Sequence, residues 1–179
     1  QGTTTIKGGG GESIHIEDSV LTSVVIDKAD GNIRVVVSGA TTVREVVLQS
    51  GANLDEVDLS GEGFGNVTVS VTGEGKVILK GDFANVDVAA EGVTLEIREG
   101  AVQNLEVREN AAGVKIEVRE NAAVENVTLN AADEVAGDGM VVSAVVNAEG
   151  AVFQKMPEFA RGRPGVHERG VRRRGRRRR

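Results

Sequence analysis

The sequence predicts an all-β fold: a right-handed parallel β-helix (β-solenoid) of about seven coils with roughly 20 residues per coil, plus an extended C-terminal arm. Three observations predict it. An apolar motif recurs at a nearly constant step, asparagines recur in phase with it, and the composition suits short strands joined by tight turns. The 179 residues include 24 Gly but 2 Pro, and no Trp, Tyr or Cys. A core without large aromatics must be filled by Val, Leu, Ile and Ala, and β-branched side chains favour the pleated surface of a strand.

The recurring motif is apolar-x-x-apolar-x-apolar. It reads LTSVVI (21–26), VREVVL (43–48), FGNVTV (64–69), FANVDV (83–88), VQNLEV (102–107) and VENVTL (124–129), with a weaker VSAVVN at 142–147. The central residues Val24, Val46, Val67, Val86, Leu105, Val127 and Val145 are separated by 22, 21, 19, 19, 22 and 18 positions. Between them lie shorter alternating runs: IHI (14–16), IRVVV (33–37), VDL (57–59), VIL (77–79), VTLEI (93–97) and VKIEV (114–118). Gly, Asn, Ala or Asp bounds each run, as strand–turn patterns require, and no window carries helical periodicity.

Short strands recurring at this interval bury their apolar faces together when each repeat is one coil and equivalent strands stack in parallel at ~4.8 Å. The right hand follows the general preference of parallel crossovers. Residues 1–155 form the predicted solenoid and 156–179 the arm. Asn66, Asn85, Asn104 and Asn126 each precede a central apolar residue, so stacking places them in one column. Asn tolerates a sharp left-handed bend, and its amide can bond to the coils above and below. Ser23, Glu45 and Ala144 take that slot in the outer coils. Phe64 and Phe83 open successive motifs and are expected to stack.

Segments such as GGGGESIHIEDSVLTSVVIDKADGNIRVVVSGATTVREVVLQSGANL, LSGEGFGNVTV, VILKGDFANVDVAAEGVTLEI and AAVENVTLNA resemble the β-helical repeat regions of Gram-positive extracellular proteins, which often accompany S-layer-homology anchoring modules. The resemblance covers about residues 8–155. It implies a secreted or cell-surface location and a structural, non-catalytic role. A first residue of Gln rather than Met fits a processed or trimmed precursor, as after signal-peptide removal.

Candidate chemistry is sparse. Two sequons, Asn66-Val67-Thr68 and Asn126-Val127-Thr128, coincide with the asparagine column, which accounts for them. Asp55, Glu56 and Asp58 lack the Gly-bounded spacing of a calcium loop and are expected on a solvated face. The glycine run Gly8–Gly11 has no following helix or Lys-Ser/Thr, so it is not a phosphate cradle. His15 alternates with Ile14 and Ile16 and should face outward. No catalytic triad, metal set or cofactor motif can be assembled, so catalytic residues, metal and cofactors are predicted as none. No apolar run approaches the ~18 residues of a membrane span.

Charge divides the chain. Residues 1–160 carry 26 acidic and 11 basic side chains, a net −15. Residues 161–179 carry 10 Arg and one Glu, a net +9. Those arginines are Arg161, Arg163, Arg169, Arg172, Arg173, Arg174, Arg176, Arg177, Arg178 and Arg179. Alone, such a run repels itself, and the chain's own acidic body is a complementary partner. The pattern E-[IV]-R-E-[GN] occurs three times; it reads first as a solvated outer face whose opposite charges offset each other across coils, and as a sharper alternative it offers Glu96, Glu99, Glu106, Glu109, Glu117 and Glu120 as an acidic docking face. Open solenoid ends favour pairing with another copy, and a head-to-tail contact that does not close gives a filament. The leading expectation is therefore a homopolymer at the cell surface, tied by the arginine-rich arm. The alternative is a spacer or binding module whose arm holds an anionic polymer, either a cell-wall polyanion or nucleic acid. Without interleaved aromatics the arm does not read sequence in nucleic acid.

Overall fold

A computed structural model describes residues 2–8, 13–29, 31–73 and 75–162, together with the backbone of 167–168. The strands in chain order are β1 (Thr3–Ile6), β2 (Ile14–Glu17), β3 (Val20–Ile26), β4 (Ile33–Gly39), β5 (Thr42–Leu48) and β6 (Ala52–Leu59). They continue as β7 (Gly63–Val69), β8 (Lys76–Lys80), β9 (Phe83–Val88), β10 (Thr94–Val107), β11 (Lys115–Val118) and β12 (Ala122–Leu129). The last are β13 (Glu134–Ala136), β14 (Met140–Val146), β15 (Val152–Phe153), β16 (Phe159–Gly162) and β17 (His167–Glu168).

Every strand pairing among them is parallel, and the chain forms a β-solenoid of about 8 turns with ~20 residues per turn. Sheet 1 stacks β1, β3, β5, β7, β9, the second half of β10, β12, β14 and β16. Sheet 2 stacks β2, β4, β6, β8, the first half of β10, β11, β13, β15 and β17. The first and last strands of sheet 1, TTTI and FARG, lack the apolar motif, which is why the sequence pattern counts fewer coils.

The core lies between the two sheets and is built of columns. Val24, Val46, Val67, Val86, Leu105, Val127 and Ala144 are in register and buried. From the other side come Ile33, Ala52, Val77, Leu95, Ile116, Val135 and Phe153. Phe64 and Phe83 stack with centroids 5.9 Å apart and planes 4° from parallel. Offset stacking of this kind adds to the area the rings bury.

Three expectations need correction. Ala144, not Val145, continues the central column, and Ser143, not Ala144, follows Asn126 in the outward slot. The motif there is VVSAVV, starting at Val141. In strand geometry a one-residue slip reverses every face, so Val145 is turned outward. Next, the stacked part of the third sheet-2 strand is Ala52–Glu56, against Ile33–Val37. Val57 is exposed and Asp58 takes a left-handed φ of 47°, so VDL forms the corner rather than the core strand. Finally, pairing runs past residue 155: β16 pairs with β14 and β17 with β15. The solenoid therefore includes Phe159–Gly162, which the sequence reading assigns to the arm.

β10 shows how a coil turns. Its residues Thr94–Ile97 pair in sheet 2 and Gly100–Val107 in sheet 1. The bend falls at Gly100, with φ 89°. A Cβ there would run into the carbonyl of Gly81 in the preceding coil, so only glycine lets the backbones stack at this corner.

Leu105 is 1% exposed at the centre of the rod. Leu105→Ala is expected to cost about 3 kcal/mol through lost transfer energy and a residual cavity. Glu109→Ala, on an exposed turn, is expected to change stability by less than about 0.5 kcal/mol. Urea denaturation midpoints of the two variants check the difference.

Candidate functional site: outward faces and coil corners

In sheet 1 the residue before each central apolar position points outward, because side chains alternate along a strand. Register brings Asn66, Asn85, Asn104 and Asn126 into one column. Each amide donates to the one before it: Asn85 Nδ2 to Asn66 Oδ1 at 2.8 Å, Asn104 to Asn85 at 3.1 Å, and Asn126 to Asn104 at 3.3 Å. These asparagines sit inside strands, not at bends. The left-handed non-glycine residues among those described are Asp18 and Asp58. A second amide ladder was missed by the sequence reading. Asn147 Nδ2 donates to Asn130 Oδ1 at 2.7 Å, and Asn130 donates to Glu106 Oε1 at 3.1 Å. Its signal was hidden by the phase of the last motif: Asn130 follows VENVTL by one residue, but Asn147 takes the equivalent place only when that motif is set at Val141–Val146.

The proposed acidic face does not exist as one face. Glu96 and Glu117 lie in sheet 2, Glu106 lies in sheet 1, Glu99 sits at the corner beside Lys80, and Glu109 and Glu120 occupy turns. The reason is spacing. Copies of E-[IV]-R-E-[GN] start at 96, 106 and 117, about half a coil apart, so successive copies fall on alternate sheets.

Glu96 is instead the centre of an ion cluster. Its side chain is 3% exposed and contacts Lys76 Nζ at 2.7 Å, Arg119 Nε at 3.0 Å and Arg98 Nε at 3.1 Å. Arg119 also reaches Glu117, at 3.0 Å, and Lys115 pairs with the same carboxylate at 2.8 Å. Glu96 and Glu117 are direct neighbours in register, so two like charges lie one strand spacing apart. Arg119 spans both and offsets their repulsion. Burial alone would raise the pKa of Glu96, but Lys76, Arg119 and Arg98 together hold it at about 2. Sheet 2 carries further pairs, Arg34 with Asp55 at 2.6 Å and Lys80 with Glu99 at 3.2 Å. On sheet 1, Arg108 grips Asp87 through both nitrogens of its fork.

Carboxylates also close the corners. Glu56 turns inward and accepts the N–H groups of Phe64 and Asp82, each at 2.8 Å, from two successive coils. Burial raises its pKa, against the pull of those two backbone bonds. Neither Asp55, which is buried and paired with Arg34, nor Glu56 is on a solvated face, which corrects the expectation for LDEVDL. Asp133 is 3% exposed and accepts from Val114 N at 2.9 Å, while its second oxygen is buried without a partner. Desolvation raises its pKa to about 6, opposed by the Val114 and Gly113 backbone groups.

His15 is exposed. Among the described residues no group of His, Cys, Asp and Glu is placed to hold a metal ion. No helix of the described residues is long and apolar enough to cross a membrane. Of the ten arm arginines, Arg161 lies in β16, exposed and in register with Val145. Arg163, Arg169, Arg172, Arg173, Arg174, Arg176, Arg177, Arg178 and Arg179 lie outside the described residues, as do Gly9–Gly11 of the glycine run.

An open groove of about 540 Å³ runs beside the asparagine ladder across four coils. Its floor is Gly65, Ala84 and Ala101 over the buried rings of Phe64 and Phe83, and Glu62, Asp82, Gln103 and Glu125 border it. Gly65 is required there, because a Cβ would run into the Arg44 carbonyl of the previous coil.

Two tests follow from this geometry. Glu96 has a depressed folded pKa, so its contribution is present above the ordinary carboxyl range and is lost as pH falls toward 2. Asp133 has a raised folded pKa, so stability is lost as pH rises through about 6. Thermal midpoints are expected to rise from pH 7 to 5 and fall from pH 4.5 to 2.5. Asp133→Asn should flatten the first limb and Glu96→Gln the second. The Glu96 limb is worth on the order of 2 kcal/mol after screening by its half-exposed cations. Separately, Asn104→Ala removes two ladder bonds and should cost about 1–2 kcal/mol in urea denaturation. Asn126→Ala, at the end of the ladder, should cost about half as much.

No family model and no curated protein matches the sequence. Among solved structures, the chain is similar to chitinase ChiW from Paenibacillus sp. str. FPU-7, described as a bacterial cell-surface-expressed multi-modular enzyme machinery. The identity is 34% and the TM-score 0.80, over 83% of this chain. The matched stretch is 14% of that protein, so this chain corresponds in fold to one β-solenoid portion of a much longer surface protein.

Proposed function

We propose that the chain is a non-catalytic structural module of an extracellular, cell-surface protein, a stiff acidic rod that stacks head to tail with copies of itself. The arginine-rich segment docks on the acidic body of the neighbouring copy. The observation that carries the structural reading is the lack of interruption. From β2 to β16 no connection between consecutive strands exceeds seven residues. Active sites on rigid scaffolds are built largely from loops, and here the corners are occupied by carboxylates that close the backbone of the coils. The resemblance to part of a cell-surface protein supports the location. The stacking reading draws support from the opposite charges of residues 1–160 and 161–179 and from the general tendency of open sheet edges to pair.

Deleting residues 169–179 leaves β16 and β17 in place and tests the reading. Sedimentation velocity at low salt, with negative-stain images, is expected to show end-to-end oligomers of the full chain and monomers of the truncated one. A full chain that is monomeric at high concentration and low salt overturns the stacking reading. Steep, salt-dependent binding of that monomer to a polyanion would support the spacer alternative instead.

A further inference from the structure

The groove beside the asparagine ladder gathers three carboxylates from three of its four coils. On sheet 2, Asp55, Glu96, Glu99 and Glu117 are each paired with Lys or Arg. Glu62, Asp82 and Glu125 border the groove, and no described Lys or Arg pairs with any of them. Asp82 spends one oxygen on Ala101 N at 2.9 Å, while Glu62 and Glu125 are exposed. Gly65 and Ala84 keep the floor low at the first two coils, where an extended segment can lie with its side chains directed to the rims, and Gln103 and Glu125 rise from the same column at the next two.

We propose that this groove is the docking site for the arginine-rich C-terminal segment of a second copy of the chain. The inference rests on the stacking reading above and names its surface. Charge complementarity is its first support: eight of the eleven residues after Glu168 are Arg, and the unpaired groove carboxylates are suited to the planar guanidinium fork. Position is the second. β17 belongs to sheet 2, and after each sheet-2 strand the solenoid path passes to sheet 1. A segment that keeps to that path arrives on the sheet-1 side one coil beyond β16, which is over the first coils of a stacked neighbour. From the neighbour's β1 to its β7, where the groove begins, is three strand spacings, ~14 Å. Eleven extended residues span ~36 Å, enough to reach and occupy it. Reaching the groove of its own rod, whose near rim is Glu125 on β12, requires the segment to reverse direction and recross β16 and β14.

The test uses the full chain. Glu62→Gln/Glu125→Gln is expected to weaken self-association about tenfold, the loss of two partly exposed arginine pairs. Glu62→Lys/Glu125→Lys should abolish it, and Glu109→Gln/Glu120→Gln, away from the groove, should leave it unchanged. Thermal midpoints of the variants confirm that each is folded. The chain has no cysteine, so Gln103→Cys carries a single photo-reactive label on the groove rim. In a mixture of isotopically heavy and light copies, the label should capture residues 169–179 of the other copy. Capture only within one copy overturns the proposal. So does wild-type association of the groove variants; if removal of 169–179 still abolishes assembly, the stacking reading survives and the docking surface lies elsewhere. A parent chain that never associates defeats both.

Discussion

Everything in this molecule depends on one repeat distance. Each coil must sit on the previous one at the ~4.8 Å spacing of hydrogen-bonded strands, so every position is stacked on its equivalent above and below. Inside, that constraint selects aliphatic side chains of similar size, and it makes Phe64 and Phe83 tolerable because they fall on successive coils and stack on each other. Where backbones come closer than a Cβ allows, as at Gly65 and Gly100, it selects glycine. Outside, it turns a single asparagine into a ladder and a single glutamate into a neighbour of its own repeat, as with Glu96 and Glu117.

The two outward faces meet that constraint with different chemistry. Sheet 2 places Glu96 and Glu117 in register and offsets them with lysines and arginines that bridge coils, so these carboxylates are already engaged. Sheet 1 carries the Arg108–Asp87 pair but is dominated by neutral amides that satisfy one another, and the carboxylates along its groove have no described cationic partners. The rod is therefore electrostatically two-sided although its net charge is strongly acidic. Counting charges along the chain conceals this, because neighbours in sequence sit on opposite sheets.

The repeat was legible because the central valines and the asparagines mark the same phase, and two independent marks at one period leave little freedom in the fold. The phase failed where one mark was lost. In β14 the asparagine slot holds Ser143, and a run of valines on either side of Ala144 leaves the face undetermined by pattern alone. VDL misled for a related reason: alternation is also what a corner residue beside a strand produces, and the left-handed turn at Asp58 has no apolar signature. The charged residues were legible as types but not as places. A five-residue motif whose copies start ten and eleven residues apart reads as a repeat, yet that step is about half the coil, so the copies alternate between faces. The burial of Glu96 and the inward turn of Glu56 depend on contacts across coils that adjacent residues do not announce.

The direction of the hydrogen bonds gives the rod a particular mechanical character. In a solenoid the strands run across the long axis and their bonds run along it. Tension between the two ends therefore loads one coil's bonds at a time, and the rod yields by peeling turns from an end rather than by shearing whole sheets. The asparagine ladder lies in line with that pull and spans only the central coils, from Asn66 to Asn126. The end turns are thus the first to unravel and the middle the last, so the molecule extends under load while its centre stays folded.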